Sequence, residues 1–284
     1  RTGTPLVTTY AGIYGGTSPW KRWYNGVMTR GDRVIANSAY TRDHIIAAHR
    51  TDPAKIATIP RGLDLARFDP ATVSVSRVEA VRASWGLATG DRRPVILLAG
   101  RLTRWKGQGL LIEALKRVKA RGQRNFVAVL AGDAQDRDDY RSELAGQIIA
   151  GGLEDQVRIV GHTDDMPAAY LAADLACAPS LKPEAFGRTA VEPQSMSRPV
   201  LAARQGAAEE TVVDGVSGWL VAPGDADAWA NALDAALFAG PAVWKRMGAA
   251  GAARARSLYS VEAMSQATLA LYADILASKA SAPS

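Results

Sequence analysis

The amino-acid sequence predicts an α/β protein: one complete doubly wound parallel sheet, preceded by an incomplete second α/β unit. Three observations carry this. Short apolar runs alternate with helix-length amphipathic segments, the order that imposes parallel strands. Pro94-Val-Ile-Leu-Leu-Ala99 is apolar without a break, as expected of a strand covered on both faces. Only three short strands precede residue 88, too few to close a doubly wound domain, so this part reads as the later portion of one.

In chain order, Pro5–Tyr10 is strand-like, and the glycine-rich run from Gly12 through Gly15 and Gly16 must be a loop. A helix starts near Trp20, and Arg33–Asn37 is the second strand. Ser38 caps a helix through His49, and Lys55–Ile59 is a third strand, closed by Pro60-Arg61-Gly62. A linker is expected at 87–93, which divides the chain into 1–88 and 89–260. Beyond it come the strand at 94–99 and a helix from Gly107 to Arg121, with Leu110, Leu111, Ala114, Leu115 and Val118 on one side. Strands follow at 126–131, 157–160, 174–178, 199–202 and 218–221, with a helix at 166–173. Alanine-rich helices at 225–239, 241–256 and 261–278 finish the chain.

Bulk properties exclude several classes. At 284 residues with 48% hydrophobic and 22% charged positions, the composition is that of a globular protein with a large core. No run of about 18 apolar residues offers a membrane span, and no basic-then-apolar leader is visible, so a cytoplasmic location is expected. Cys177 lies in an apolar run and reads as a buried core residue. His44, His49 and His162 lack metal-ligand spacing, so no metal site is expected. A formal charge of +6 fits an anionic partner. Nucleic acid is not expected, because no module of interleaved basic and aromatic residues is present. Trp20-Lys21-Arg22-Trp23-Tyr24 reads instead as a packed helix face, or one laid peripherally on an anionic membrane at its inner face.

Two loops fall at strand ends, where doubly wound sheets bind ligands. Gly100-Arg101-Leu-Thr-Arg104-Trp-Lys106-Gly107 directly precedes a helix. Its glycines allow close backbone approach, and Arg101 and Lys106 put two cations beside a positive helix terminus, a combination suited to a diphosphate. It is not a P-loop, because the order of glycines and lysine differs. The second loop holds Glu184 and Glu192, eight positions apart. Continuous helix would separate their backbones by roughly 12 Å. If Gly187 opens the helix instead, Glu184 stays in the loop and Glu192 sits on the second turn. Free N–H groups then lie between two hydroxyl acceptors, the makings of a nucleotide-sugar site.

The combination Gly100-Arg101…Lys106-Gly107 with Glu184-x7-Glu192 around Phe186-Gly187 resembles the carboxyl-terminal half of GT-B glycosyltransferases of family 4. Gly206–Asp225 and the stretch from Ala36-Asn37-Ser38 to Asp64 fit the same pattern. The resemblance implies a GT-B-like fold, with residues 261–284 crossing back to pack on the first unit. It implies a retaining hexosyltransferase with a UDP- or GDP-linked sugar as donor, no further cofactor, and a glycan or lipid-linked acceptor in lipopolysaccharide or cell-surface polysaccharide assembly. By the same resemblance Arg101 and Lys106 hold and neutralise the leaving diphosphate in place of a metal ion. Glu184 and the backbone at Phe186, Gly187, Arg188 and Thr189 grip the transferred sugar and phosphate. Glu192 accepts from the ribose hydroxyls, and Val160, Gly161 and His162 lie near the base. Front-face attack, with the leaving phosphate taking the acceptor's proton, requires no protein base.

The chain departs from the pattern in four places. Family members carry a longer front portion with a glycine-rich loop, so the chain reads as part of a longer protein. Ala11 stands where the family commonly has a histidine, and Pro193 and Arg188 replace the usual alanine and aliphatic residue. The missing front and the missing imidazole keep a non-catalytic nucleotide-sugar-binding module open, and an epimerase of the same fold is a remoter alternative.

Overall fold

The computed structural model describes residues 4–14, 18–135 and 138–280; Gly15 and Gly16 of the expected loop lie outside them. Two parallel sheets form. The smaller has the order β1 (Val7–Tyr10), β2 (Arg33–Ala36), β3 (Ile56–Thr58), with α1 (Pro19–Gly26) and α2 (Ala39–His49) as crossovers. In the larger sheet the order is β6 (Val157–Gly161), β5 (Val127–Ala131), β4 (Val95–Ala99), β7 (Leu175–Ala178), β8 (Val200–Ala203), β9 (Gly218–Val221). Strand order reverses between β4 and β7, which opens a crevice at their carboxyl ends.

The period of two along each central strand sorts its side chains onto two faces. Ile96 and Leu98 of β4, with Ala128 and Leu130 of β5, meet Leu111 and Leu115 of α4 (Gln108–Ala120) and Trp229 and Leu233 of α9 (Ala226–Leu258). Val95, Leu97, Val127 and Val129 face the other way, onto Val81 and Trp85 near α3 (Val75–Ser84) and Tyr170 of α6 (Met166–Ala172). All ten residues of β4 and β5 are buried. At roughly 1.5–3 kcal/mol per fully buried large aliphatic chain, a one-residue slip would exchange both faces and cannot compete. Cys177 packs in the first of these cores, and burial pushes its thiol up.

Leu63, Phe68, Trp85 and Leu87 pack in the second core, so the segment before the expected linker contributes to the larger unit. Asp91 in that linker takes both the backbone N–H and the guanidinium of Arg93, which holds its carboxyl at about 2.

The two alanine-rich helices expected at 225–239 and 241–256 run on as α9, with a kink at Gly240 (φ 72°) directly before Pro241. Beyond the kink α9 still packs on the larger unit, and after its end the chain crosses back toward the small sheet. Leu63 N–H donates to Tyr259 O at 2.7 Å, and Val261 N–H donates to Leu63 O at 3.2 Å. Gly62 sits so close beneath this crossover that an added Cβ would come 2.6 Å from Val261 Cα. α10 (Val261–Ala280) then lays Tyr272, Ile275 and Leu276 alongside Leu6 and Val7. Among the described residues no helix is long and apolar enough to cross a membrane.

Candidate active site

The carboxyl end of β4 feeds the first loop. Gly100 N–H donates to Ala131 O, and Leu102 N–H to Asp133 O, so the loop leaves the sheet in register with β5. Gln108, fully buried, donates from Nε2 to Arg101 O at 2.8 Å and fixes the backbone that carries the Arg101 guanidinium. Arg104–Lys106 form a 3-10 turn that ends at Gly107 (φ 81°), whose left-handed backbone starts α4. Lys106 Nζ lies 4.5 Å from the Trp105 ring centroid, a cation–π arrangement.

The second loop leaves β7, on the other side of the switch point. It is tied to the first by Leu181 N–H donating to Trp105 O at 2.6 Å. Glu184 accepts at Oε1 from Lys106 Nζ (2.9 Å) and Ser180 Oγ (2.5 Å). Both members of the Lys106–Glu184 pair are largely buried, with side chains 13% and 17% exposed. Taking two charges out of water costs free energy, which their contact and the Ser180 hydroxyl bond to Glu184 offset in part. Gly187 (φ 76°) caps α7 (Arg188–Ser195) with no side chain over the free N–H groups of its first turn.

Glu192, 7% exposed, sits on the second turn of α7. Its Oε2 accepts from Tyr170 Oη at 2.9 Å and its Oε1 lies 2.5 Å from the Arg188 guanidinium. Burial, then the adjacent carboxylate, raises the Tyr170 phenol well above its ordinary range, which keeps it a donor. Pro193 follows within α7 and removes one ladder hydrogen bond. The helix ends two residues later.

Both loops face one cleft of about 530 Å³. Gly100, Arg101 and Lys106 line one side, Glu184, Phe186, Gly187, Arg188, Thr189 and Glu192 another, and Tyr170 and Met166 the floor. Ala11, Asn37 and Arg61 close it from the small sheet. Of the sequence-derived candidates, Gly107 lies outside the lining, buried against Pro179. Val160, Gly161 and His162 also lie outside it, at the end of β6. The intervening β5 puts them two strand spacings from β4, roughly 10 Å. His162 there pairs with Asp164 at 3.0 Å.

Sequence reasoning did not single out Tyr170, Ser180, Gln108, Asn37 or Arg61 as site residues. The partners of Tyr170, Ser180 and Gln108 lie in other elements, and nothing local marks them. Arg61 had a usable signal, a charged residue in the Pro-Arg-Gly turn that closes a strand.

Two parallel sheets facing each other across a cleft, one with its switch point opening into it, define a GT-B-type architecture. The family model described as glycosyl transferases group 1 matches residues 82–253, and that of glycosyltransferase family 4 matches residues 1–67. The chain belongs to the glycosyl transferases group 1 family. It is 34% identical over 220 residues to a protein named D-inositol 3-phosphate glycosyltransferase from Salinispora arenicola, covering 74% of this chain and 48% of that one. Its counterpart in Actinosynnema mirum is 35% identical over 213 residues, covering 73% and 49%. The chain therefore spans about half the length of these curated relatives. Among solved structures, a glycosyltransferase from Rickettsia africae superposes with a TM-score of 0.86 at 30% identity, covering 95% of this chain and 70% of that one. HepE of Anabaena, crystallised with UDP and glucose, superposes with a TM-score of 0.82 at 29% identity, covering 96% and 72%.

Proposed function

We propose that this chain carries the donor site of a retaining glycosyltransferase that moves a hexose from a nucleotide sugar, UDP-linked in the first instance, to a glycan or lipid-linked acceptor. The observation that carries the reading is the shared cleft: Arg101 and Lys106 on one side, Glu184 and Glu192 on the other. Arg101 and Lys106 offset the charge that develops on the departing diphosphate, assisted by the free N–H groups at the start of α7. Glu184, fixed by Lys106 and Ser180, accepts from sugar hydroxyls; Glu192, fixed by Tyr170 and Arg188, accepts from the ribose. Val160, Gly161 and His162 lie toward the base. The structure of HepE with UDP-glucose, at 30% identity, supports a UDP-linked donor.

A thermal-shift panel of UDP, GDP and ADP tests this, since ligands of the native state raise its stability by mass action. UDP is expected to give the largest shift. Arg101→Ala or Lys106→Ala is expected to weaken UDP roughly 10- to 30-fold, the loss of one charge-assisted contact. Unchanged affinity in both variants rejects the diphosphate role.

One observation supports a non-catalytic binding module as the second reading. Ala11 lines the cleft and brings no imidazole to it. Donor bound by the complete protein without hydrolysis or transfer would select that reading.

Peripheral membrane contact belongs to the same proposal. Trp20, Trp23 and Tyr24 on α1 are 77%, 57% and 72% exposed, beside Lys21 and Arg22. Exposed aromatic rings among cations suit an anionic lipid interface. Co-sedimentation with phosphatidylglycerol vesicles at low salt is expected, and is expected to fall in a Trp20→Ala, Trp23→Ala double variant. Equal pelleting of both proteins removes α1 from the contact.

A further inference from the structure

The two ion pairs of the cleft are built in opposite senses. Lys106 and Glu184 are both turned inward, with side chains 13% and 17% exposed. In the second pair the carboxylate is inside and the cation outside: the Glu192 side chain is 9% exposed and that of Arg188 is 54%. The pair is neutral in total, yet what it presents to the cleft is a guanidinium.

Arg188 uses few of its donors. Nη2 meets Glu192 Oε1 at 2.5 Å, and the side chain makes no other hydrogen bond or ion pair among the described residues. A guanidinium carries its N–H groups in a flat fork, so one edge remains for a second acceptor. The main chain beside it is in the same condition. The first amide of α7 with a partner is that of Ala190, which donates to Gly187 O at 2.9 Å, so the N–H groups of Arg188 and Thr189 are unpartnered among the described residues. Two free amides and a half-used guanidinium therefore start from one place, the first turn after Gly187. One turn further on, the other oxygen of Glu192 is held by the buried Tyr170 at 2.9 Å.

We propose that the Arg188 side chain is a specificity-determining group that joins the ribose end of the site to its diphosphate end. One edge of the guanidinium stays on Glu192, and the other takes a diphosphate oxygen beside the amides of 188 and 189. Arg101 and Lys106 come to the diphosphate from the β4 loop, and Arg188 comes to it from α7 on another side of the cleft. Ordering a long side chain has one entropic cost, whether it makes one contact or two. A ribose hydroxyl on Glu192 and a diphosphate on Arg188 therefore favour each other, since either contact holds the guanidinium–carboxylate pair where the other needs it. The inference rests on the donor-site reading above. It adds a preference for nucleoside diphosphates over nucleosides that the two cations of the β4 loop do not supply.

The test is calorimetric titration of the complete protein with UDP, 2′-deoxy-UDP and uridine, in the wild type, Arg188→Leu and Arg188→Lys. Leucine matches arginine in helix propensity and the position is half exposed, so α7 is kept. Arg188→Leu is expected to weaken UDP roughly 10-fold, the loss of one charge-assisted contact, and to leave uridine within about 2-fold. The preference for UDP over 2′-deoxy-UDP is expected to shrink in the same variant, because ribose and diphosphate are no longer joined. Arg188→Lys is expected to regain part of the UDP affinity without that preference, since an ammonium is a point charge and not a fork. Unchanged UDP affinity in Arg188→Leu overturns the inference. So does an equal loss for UDP and uridine, which makes the residue only a support for Glu192. A UDP loss that leaves the 2′-hydroxyl preference intact overturns it too, by making Arg188 a separate phosphate cation. Wild-type protein that binds no nucleoside diphosphate of the panel above, or binds UDP with no dependence on Arg101 and Lys106, sinks the donor-site reading itself and the inference with it.

Discussion

Gly107→Ala is expected to lose roughly 2–5 kcal/mol of stability, a large share of the 5–15 kcal/mol typical of a folded domain. Two costs combine. At φ 81° any residue with a Cβ is strained by about 1–2 kcal/mol. The added methyl would also come 1.9 Å from Pro179 O, and neither backbone can yield without moving a loop. Overpacking of that kind costs about 1–3 kcal/mol more. The same displacement pushes Lys106 away from Glu184, so UDP affinity should fall with stability. Gly90→Ala is the control: its φ is 85°, yet nothing lies within 4 Å of the added carbon, so about 1 kcal/mol is expected. Urea midpoints of the two variants give the comparison. Equal midpoints would show that the Pro179 contact is not what demands glycine at 107.

Glu210→Ala is expected to cost roughly 3 kcal/mol and to loosen the small sheet from the large one. The Glu210 carboxylate spans the two units, accepting Ala39 N–H at Oε2 (2.8 Å) and Tyr40 N–H at Oε1 (2.6 Å). These are first-turn donors of α2, with no partner inside the helix and at its positive end. Hydrogen bonds to a charged group contribute about 1.5–3 kcal/mol each, partly offset by ordering the side chain. Ser38 Oγ separately accepts Thr41 N–H, so the helix itself survives. Arg254 and Tyr259 donate to Glu210 O, a main-chain atom that the substitution keeps. Amide hydrogen exchange should therefore speed up at Ala39 and Tyr40 more than at Thr41, with Glu210→Gln intermediate because an amide retains one acceptor. Unaltered protection at Ala39 and Tyr40 in the alanine variant would remove Glu210 as the clasp.

The large sheet was legible because each of its strands announces itself. Val95–Ala99 and Val127–Ala131 are apolar at every position, and glycine or a polar turn follows at 100 and 132. The Ser38 cap, the break at Gly240-Pro241 and the start of α7 after Gly187 were equally local signals, each tied to one residue's backbone preference. α3 was missed: Val75, Val78 and Val81 alternate with charges too weakly to show a face, and only Val81 is buried. The neighbouring Trp85 and Leu87 anchor that segment to the large sheet, a long-range choice that periodicity cannot see. At the cleft, residues that precede or open a helix were found. Tyr170 and Ser180 were not, because what each does is set by a carboxylate on another segment.

The return from α9 to α10 has a further consequence. The crossover is held to the segment after β3 by amide and carbonyl groups at 63, 259 and 261, atoms that every amino acid except proline supplies in the same place. These bonds place no demand on the side chain at 63, 259 or 261, but packing does, since Leu63 and Tyr259 are both buried. Position 61 lies just outside this seam. A substitution at 61 therefore leaves these main-chain bonds in place.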